Sequence, residues 1–160
     1  MTRIGVTGHV NVTEDLIPLV YADIALILAD AGDPTDLVGI SCIARGADSV
    51  FAQAVLDAGG HLEVVLPSRN YRERKVKLDH VEKFDELVAR ATTVRVMDYD
   101  EVGRDAYEAA NEAVVGTADR LIAVWDSKPS EKGGTGTVVE LARAKGVPVE
   151  IIWPDGAARR

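Results

Sequence analysis

Two kinds of apolar pattern alternate along the chain. Six short blocks are apolar at most positions: RIGVT (3–7), LVGISCI (37–43), LEVVLP (62–67), TVRVM (93–97), RLIAVW (120–125) and PVEIIW (148–153). Blocks of this length, rich in Val and Ile and bounded by Gly, Pro or polar residues, predict β-strands. Between them apolar residues recur every three or four positions, the spacing of one helix face. Thr13, with Glu14 and Asp15 in the first turn, opens a helix whose Leu16, Val20, Ile24 and Ile27 share a face. Further helices are predicted from about 48 to 58, stopping at Gly59-Gly60, and over 79–90 and 101–117. The last is opened by GGTGTVVE (133–140) and ends at Gly146.

Strands that are apolar throughout, rather than alternating, are buried on both faces, as in a parallel sheet covered by helices. The expected fold is therefore α/β: a doubly wound, Rossmann-like, mainly parallel sheet of about six strands. Right-handed crossovers favour the order 3-2-1 for the first three strands, with the later ones added beyond strand 1. Ligands of such sheets sit at the carboxyl ends of the strands where the order reverses, and that rule selects three loops. Strand 1 ends in Thr7-Gly8-His9, strand 2 runs into Ala44-Arg45-Gly46-Ala47-Asp48, and strand 5 ends in Trp125-Asp126 shortly before the glycine-rich turn. Glycines there let backbone N–H groups approach an anion, and helix N-termini behind them favour negative charge. The first loop, GVTGHV, lacks the third glycine of a dinucleotide fingerprint, and no P-loop occurs.

Composition narrows the partners. The 160 residues, 47% of them hydrophobic, fit one domain (1–160), long enough to bury roughly two thirds of its unfolded surface. No apolar run approaches a membrane span or the core of a signal peptide. The single cysteine, Cys42, excludes an internal disulfide and a cysteine-based zinc site, which points to the cytoplasm, and its apolar setting predicts a core residue. A net charge of −8 is the opposite of a nucleic-acid footprint. One stretch departs from it: RNYRERKVK (69–77) holds five basic residues and one acidic, and is either a solvated loop and helix start or a gate attracting a phosphorylated ligand.

The motifs resemble a known family. GGTGTVVE is similar to the G-G-x-G-T-x-x-E motif of the lonely-guy phosphoribohydrolases, formerly described as lysine decarboxylases. IARGADSVFAQAVLDAGGHLEVVLP (43–67) resembles the A-R-G-x-D segment of the DNA-processing protein A family, and Asn111, eight residues before Asp119, has the spacing of that family's asparagine. Both families belong to the SLOG superfamily of Rossmann-like nucleotide-binding domains, and the resemblance runs over about 3–153 in order. It implies a nucleotide or nucleotide-derived phosphorylated ligand that is bound, sensed or carried, with no cofactor and a homodimer or higher homo-oligomer. The alternative it implies is nucleoside 5′-monophosphate hydrolysis at the N-glycosidic bond; single-stranded DNA binding is a third, which the acidic charge disfavours. The hydrolases pair the motif glutamate with an arginine on the preceding helix. Here that neighbourhood reads Ala109-Ala110-Asn111, with Arg104 about two turns earlier and Lys132 where their motif opens with proline.

Glu140 therefore carries three readings. It closes a capping box with Thr137 at the N-cap, it contacts a ribose hydroxyl, or, in an enzyme, it acts on the ribosyl group with Arg104 as the nearest arginine. Gly8, Gly46, Gly133, Gly134, Thr135, Gly136 and Thr137 are the expected phosphate cradle. Arg45 is a phosphate contact or a structural ion pair with Asp48, and Asp48 an N-cap for the second helix or a ligand group. His9 and Asn111 each divide between ligand contact and local structure. Asp126 is a turn former or binds a hydroxyl, Trp125 packs in the core or stacks on a base, and His61 and His80 are read as surface residues. The absence of a second histidine near His9 argues against a metal.

Overall fold

The structure is a computed structural model, and it describes residues 1–128 and 134–154. The six apolar blocks form six strands: β1 (Thr2–Gly8), β2 (Leu37–Ser41), β3 (His61–Leu66), β4 (Thr93–Val96), β5 (Arg120–Val124) and β6 (Val149–Ile152). All pair in parallel, in the order β4-β3-β2-β1-β5-β6. The helices are α1 (Ile17–Ala29), α2 (Ala47–Asp57), α3 (Tyr71–Lys75), α4 (Leu78–Arg90), α5 (Arg104–Thr117) and α6 (Thr135–Ala144). Among the described residues no helix is long and apolar enough to cross a membrane.

The expected strand order needs one correction. β4 lies outside β3 and not beyond β1, so winding continues for one more strand before it reverses. The linear pattern does not show this, because the crossover after β3 has the same form whichever side the next strand joins. β4 is exposed at all four residues, as an edge strand is, and Arg95 blunts that edge. α5 then carries the chain back across the sheet to β5, which pairs with β1 from Ile4 opposite Arg120 to Gly8 opposite Val124. The reversal point between β1 and β5 stays where the expected topology put it.

Reversal also sorts the helices. α1 and α2 pack on one face through Val20, Ile24, Leu28, Phe51 and Val55 against Ile4, Val6, Ile122 and Val124, and α4 continues that layer with Phe84 and Leu87 over Leu62 and Val64. α5 and α6 cover the other face with Ala110, Val114, Val138 and Ala142 against Val38, Ile40, Val65 and Leu121. Leu28, and not Ile27, completes the buried face of α1, because i, i+4, i+8 tracks the stripe from Val20. α3 lies inside the basic stretch read as a loop and helix start.

Candidate functional site

A cleft of about 560 Å³ opens where β1, β2 and β3 end, between α2, α5 and α6. Thr7, Gly8, His9 and Asn11 come from the first loop, Ala44 and Asp48 from the second, Tyr107, Ala110 and Asn111 from one face of α5, and Gly134 and Thr135 from the start of α6. Spacing of i, i+3, i+4 puts the three α5 residues side by side. Of the candidate cradle, Gly133 lies outside the described residues.

The second loop is shaped by its backbone. Gly46 has φ 85° and is the N-cap of α2, and Ile43 also has a positive φ, 47°. The strained Ile43 is held from both sides: its N–H donates to Ser41 Oγ at 3.0 Å, while its carbonyl accepts from Ser49 Oγ at 3.2 Å and lies 3.2 Å from His80 Nε2. His80, read as a surface residue, is thus half-buried and ties α4 to the loop that floors the site. A histidine facing a loop carbonyl leaves no mark on an apolar pattern, so only the structure could reveal it.

Asp48 is not the N-cap of α2. Gly46 holds that position with no side-chain cap, and Asp48 lies in the first turn with its carboxylate accepting from the Ala44 N–H. Half-buried against the cleft wall, it is pushed up to about 7 by loss of solvent, which outweighs the hydrogen bond that favours its charge. Cys42, expected in the core, is half-buried, packs against the α5 layer and reaches the cleft; burial and then the nearby Asp48 charge push its thiol well above the ordinary range. A thiol so shifted is protonated and a poor nucleophile.

At the opposite wall α6 begins with Gly134 as N-cap and no side-chain cap. Thr135, 6% exposed, and Gly134 line the cleft there, so the positive end of the helix dipole faces it. Gly136 is half-buried in the same first turn. The capping box between Thr137 and Glu140 does not form: the helix starts three residues earlier than that pattern requires, which puts Thr137 at its third position and Glu140 in its middle. Both are exposed, and neither lines the cleft. Glu140→Gln should therefore change stability by no more than about 0.5 kcal/mol in urea denaturation, the size expected of a surface substitution.

His9 and Asp126 pair with each other. The Asp126 N–H donates to His9 Nε2 at 3.3 Å, so that nitrogen accepts, and the ring meets Trp153 edge-on with centroids 5.5 Å apart. His9 lines the cleft from this anchored position. Asp126 Oδ1 accepts from the Lys128 N–H at 3.0 Å, a turn-forming bond, and its side chain is 6% exposed and outside the cleft lining. Trp125, half-buried, closes the same turn by donating Nε1–H to the Lys128 carbonyl at 3.1 Å. Asn111 is half-buried in the cleft wall, and its side chain has no hydrogen-bond partner among the described residues.

The charged candidates fall elsewhere. Arg45 pairs with Asp79 at 2.7 Å and not with Asp48, and lines a neighbouring lobe. Arg104 pairs with Glu108 at 3.3 Å on an exposed turn of α5 and lines a shallow depression beside Arg74 and Glu101. In the basic stretch Arg69 is paired with Asp98 and Asp100, and Arg72 with Asp85. His61 lies near the Thr35 carbonyl, far along the chain from the site loops. Among the described residues no group of three or more His, Cys, Asp or Glu is arranged to hold a metal.

No protein-family model matches the chain, and no curated protein sequence does. Solved structures do resemble it. DNA processing protein A from Streptococcus pneumoniae superposes with a TM-score of 0.68 at 17% identity, over 94% of this chain and 50% of that one. For DNA processing protein A from Helicobacter pylori, described by its single-stranded DNA binding mode, the TM-score is 0.70 at 16% identity, over 99% and 68%. The Moco carrier protein of Chlamydomonas rheinhardtii gives 0.57 at 19% identity, over 94% and 74%. The chain thus spans about half the length of the Streptococcus protein. What these likenesses establish is the fold, a Rossmann-like, all-parallel α/β sheet.

Proposed function

We propose that the protein binds a nucleotide or nucleotide-derived phosphorylated small molecule in this cleft, as a carrier or sensor. The observation that carries it is the convergence, at the reversal point of the sheet, of the N-terminal end of α6 at Gly134 and Thr135, the Gly8 loop and the Asn111 amide, which has no hydrogen-bond partner among the described residues. An anion at Gly134 and Thr135 gains the helix dipole, and Asn111 offers both a donor and an acceptor to a sugar or base. A cleft of about 560 Å³ lies within the range of small-molecule sites. In a thermal-shift panel of nucleoside mono- and diphosphates, ADP-ribose and cyclic dinucleotides, at least one member should raise the midpoint by mass action. No shift with any of them, together with a shift from a single-stranded oligonucleotide at moderate salt, would replace this function with DNA binding.

Hydrolysis of a nucleoside monophosphate is the second reading, motivated by Glu140 in its motif. Two placements favour binding over it: Glu140 stands exposed on α6, and Arg104 is held by Glu108 on another helix. The carboxylate and guanidinium that the hydrolase chemistry pairs are not gathered in one cleft. Incubation with AMP, GMP and CMP followed by chromatography should release no base. Release by the unaltered protein that vanishes in Glu140→Gln would make it a hydrolase.

A further inference from the structure

The groove continues past the cleft. A second lobe of about 500 Å³ adjoins it, and Val10, Asn11, Ala44, Tyr71 and Tyr107 line both. Electrostatics change across that boundary. The charged residues lining the second lobe are Arg45, Lys75 and Lys77 against one carboxylate, Glu14. Arg45 is compensated by Asp79, but both side chains are more than half exposed, and such a pair is weak enough to exchange for a ligand anion. Lys75 and Lys77 take part in none of the ion pairs among the described residues. Arg69 and Arg72 of the same basic stretch, by contrast, are paired with Asp98, Asp100 and Asp85 and line neither lobe. On a chain of net charge −8, two cations of this stretch that are in no ion pair among the described residues, Lys75 and Lys77, face the groove, while Arg74, likewise outside those pairs, lines a separate depression.

Tyr107 marks the passage between the lobes. Its ring stands edge-on to the buried Tyr71, centroids 6.4 Å apart, and is 36% exposed, so a sugar or base crossing from one lobe to the other meets an aromatic wall. We propose that the site takes a ligand with two separated anionic groups, of the linear dinucleotide class: one phosphate at the α6 end of the cleft, the second on Lys75 and Lys77, and the nucleoside between them against Tyr107. This rests on the nucleotide function of the cleft. It adds that a nucleoside monophosphate fills only half of the groove.

The test is isothermal titration at fixed ionic strength with 5′-phosphorylated dinucleotides and the nucleoside 5′-monophosphates of the same four bases. Three proteins are compared: the unaltered chain, the double variant Lys75→Gln/Lys77→Gln, and Asn111→Ala. In the unaltered chain the best dinucleotide should bind at least about tenfold tighter than its mononucleotide, the gain expected of a charge-assisted contact. The lysine variant should bring the dinucleotide to within about twofold of the mononucleotide and leave the mononucleotide unchanged, since exposed cations beyond a ligand's reach are screened. Asn111→Ala should weaken both alike. Equal affinities in the unaltered chain, or a lysine variant that weakens both by the same factor, would overturn the second subsite while the cleft's nucleotide function stands. Binding of neither class would overturn both. A fifteen-residue oligothymidylate that binds tighter than every dinucleotide, with a steep salt dependence, would overturn the dinucleotide class in favour of nucleic acid.

Discussion

Replacing Gly46 by alanine is expected to destabilise the protein by about 3 kcal/mol or more and to abolish ligand binding. With φ 85° and ψ −132°, Gly46 occupies backbone space that side-chain-bearing residues rarely enter. A Cβ added there would lie 2.7 Å from the carbonyl oxygens of both His9 and Val10. The His9 oxygen cannot move alone: its carbonyl accepts from the Ala47 N–H at 3.3 Å, and the His9 N–H donates to Val124 in the neighbouring strand. Relief therefore requires the β1 loop and the start of α2 to separate, and both line the cleft. Gly116→Ala is the matched control. Its Cβ would meet nothing within 4 Å at an exposed site near the end of α5, so the gain in helix propensity should stabilise by about 0.5–1 kcal/mol. Urea denaturation measures both, and a Gly46→Ala midpoint within error of the unaltered protein would contradict this account of the loop.

Gly8 extends the same point and changes its meaning. The sequence placed it in an anion cradle; the structure adds that its Cβ would come within 2.4 Å of Ala47 Cβ and 2.9 Å of Val124 Cβ. The glycine is required by the approach of α2 to the strand ends, and the cleft exists because that approach is close. What was legible in the sequence was the strand and helix alternation and the loops that meet at the reversal point, since both follow from apolar spacing and crossover handedness. The side on which β4 joins was not legible, because edge and central positions differ in neighbours and not in the linear pattern of a four-residue strand. Partner choice was equally hidden. Arg45 has Asp48 three residues away but meets Asp79 across 34 positions of chain, and the Thr137-Glu140 spacing fits a capping box that an earlier helix start at Thr135 excludes. Short-range spacing proposes such pairs, and tertiary packing then chooses among them.

Asp48 gives the protein a stability that falls as pH rises from about 4 to about 7. An ordinary aspartate titrates near 3.8 in the unfolded chain, whereas in the fold burial raises Asp48 to about 7. Between those values the native state holds a proton that the unfolded state has released, so each rise in pH favours unfolding; below the window both states are protonated, and above it both are ionised and the loss is complete. A shift of this size corresponds to roughly 4 kcal/mol as a ceiling, and roughly half of that is expected where a half-buried group can draw water from the cleft. Asp48→Asn keeps an oxygen for the Ala44 N–H and cannot ionise. It should match the unaltered protein at pH 4 and exceed it by about 2 kcal/mol at pH 8 in urea denaturation. The same charge acts on the ligand. Neutral below pH 7, Asp48 can donate to a phosphate across the cleft; ionised, it repels one. The affinity of the Asp48→Asn variant relative to the unaltered protein, a ratio in which the phosphate's own titration cancels, should therefore be flat below pH 6 and climb about tenfold by pH 8. A ratio that stays constant across that range would remove Asp48 from contact with the bound anion, and a stability profile without the fall would remove its raised titration as well.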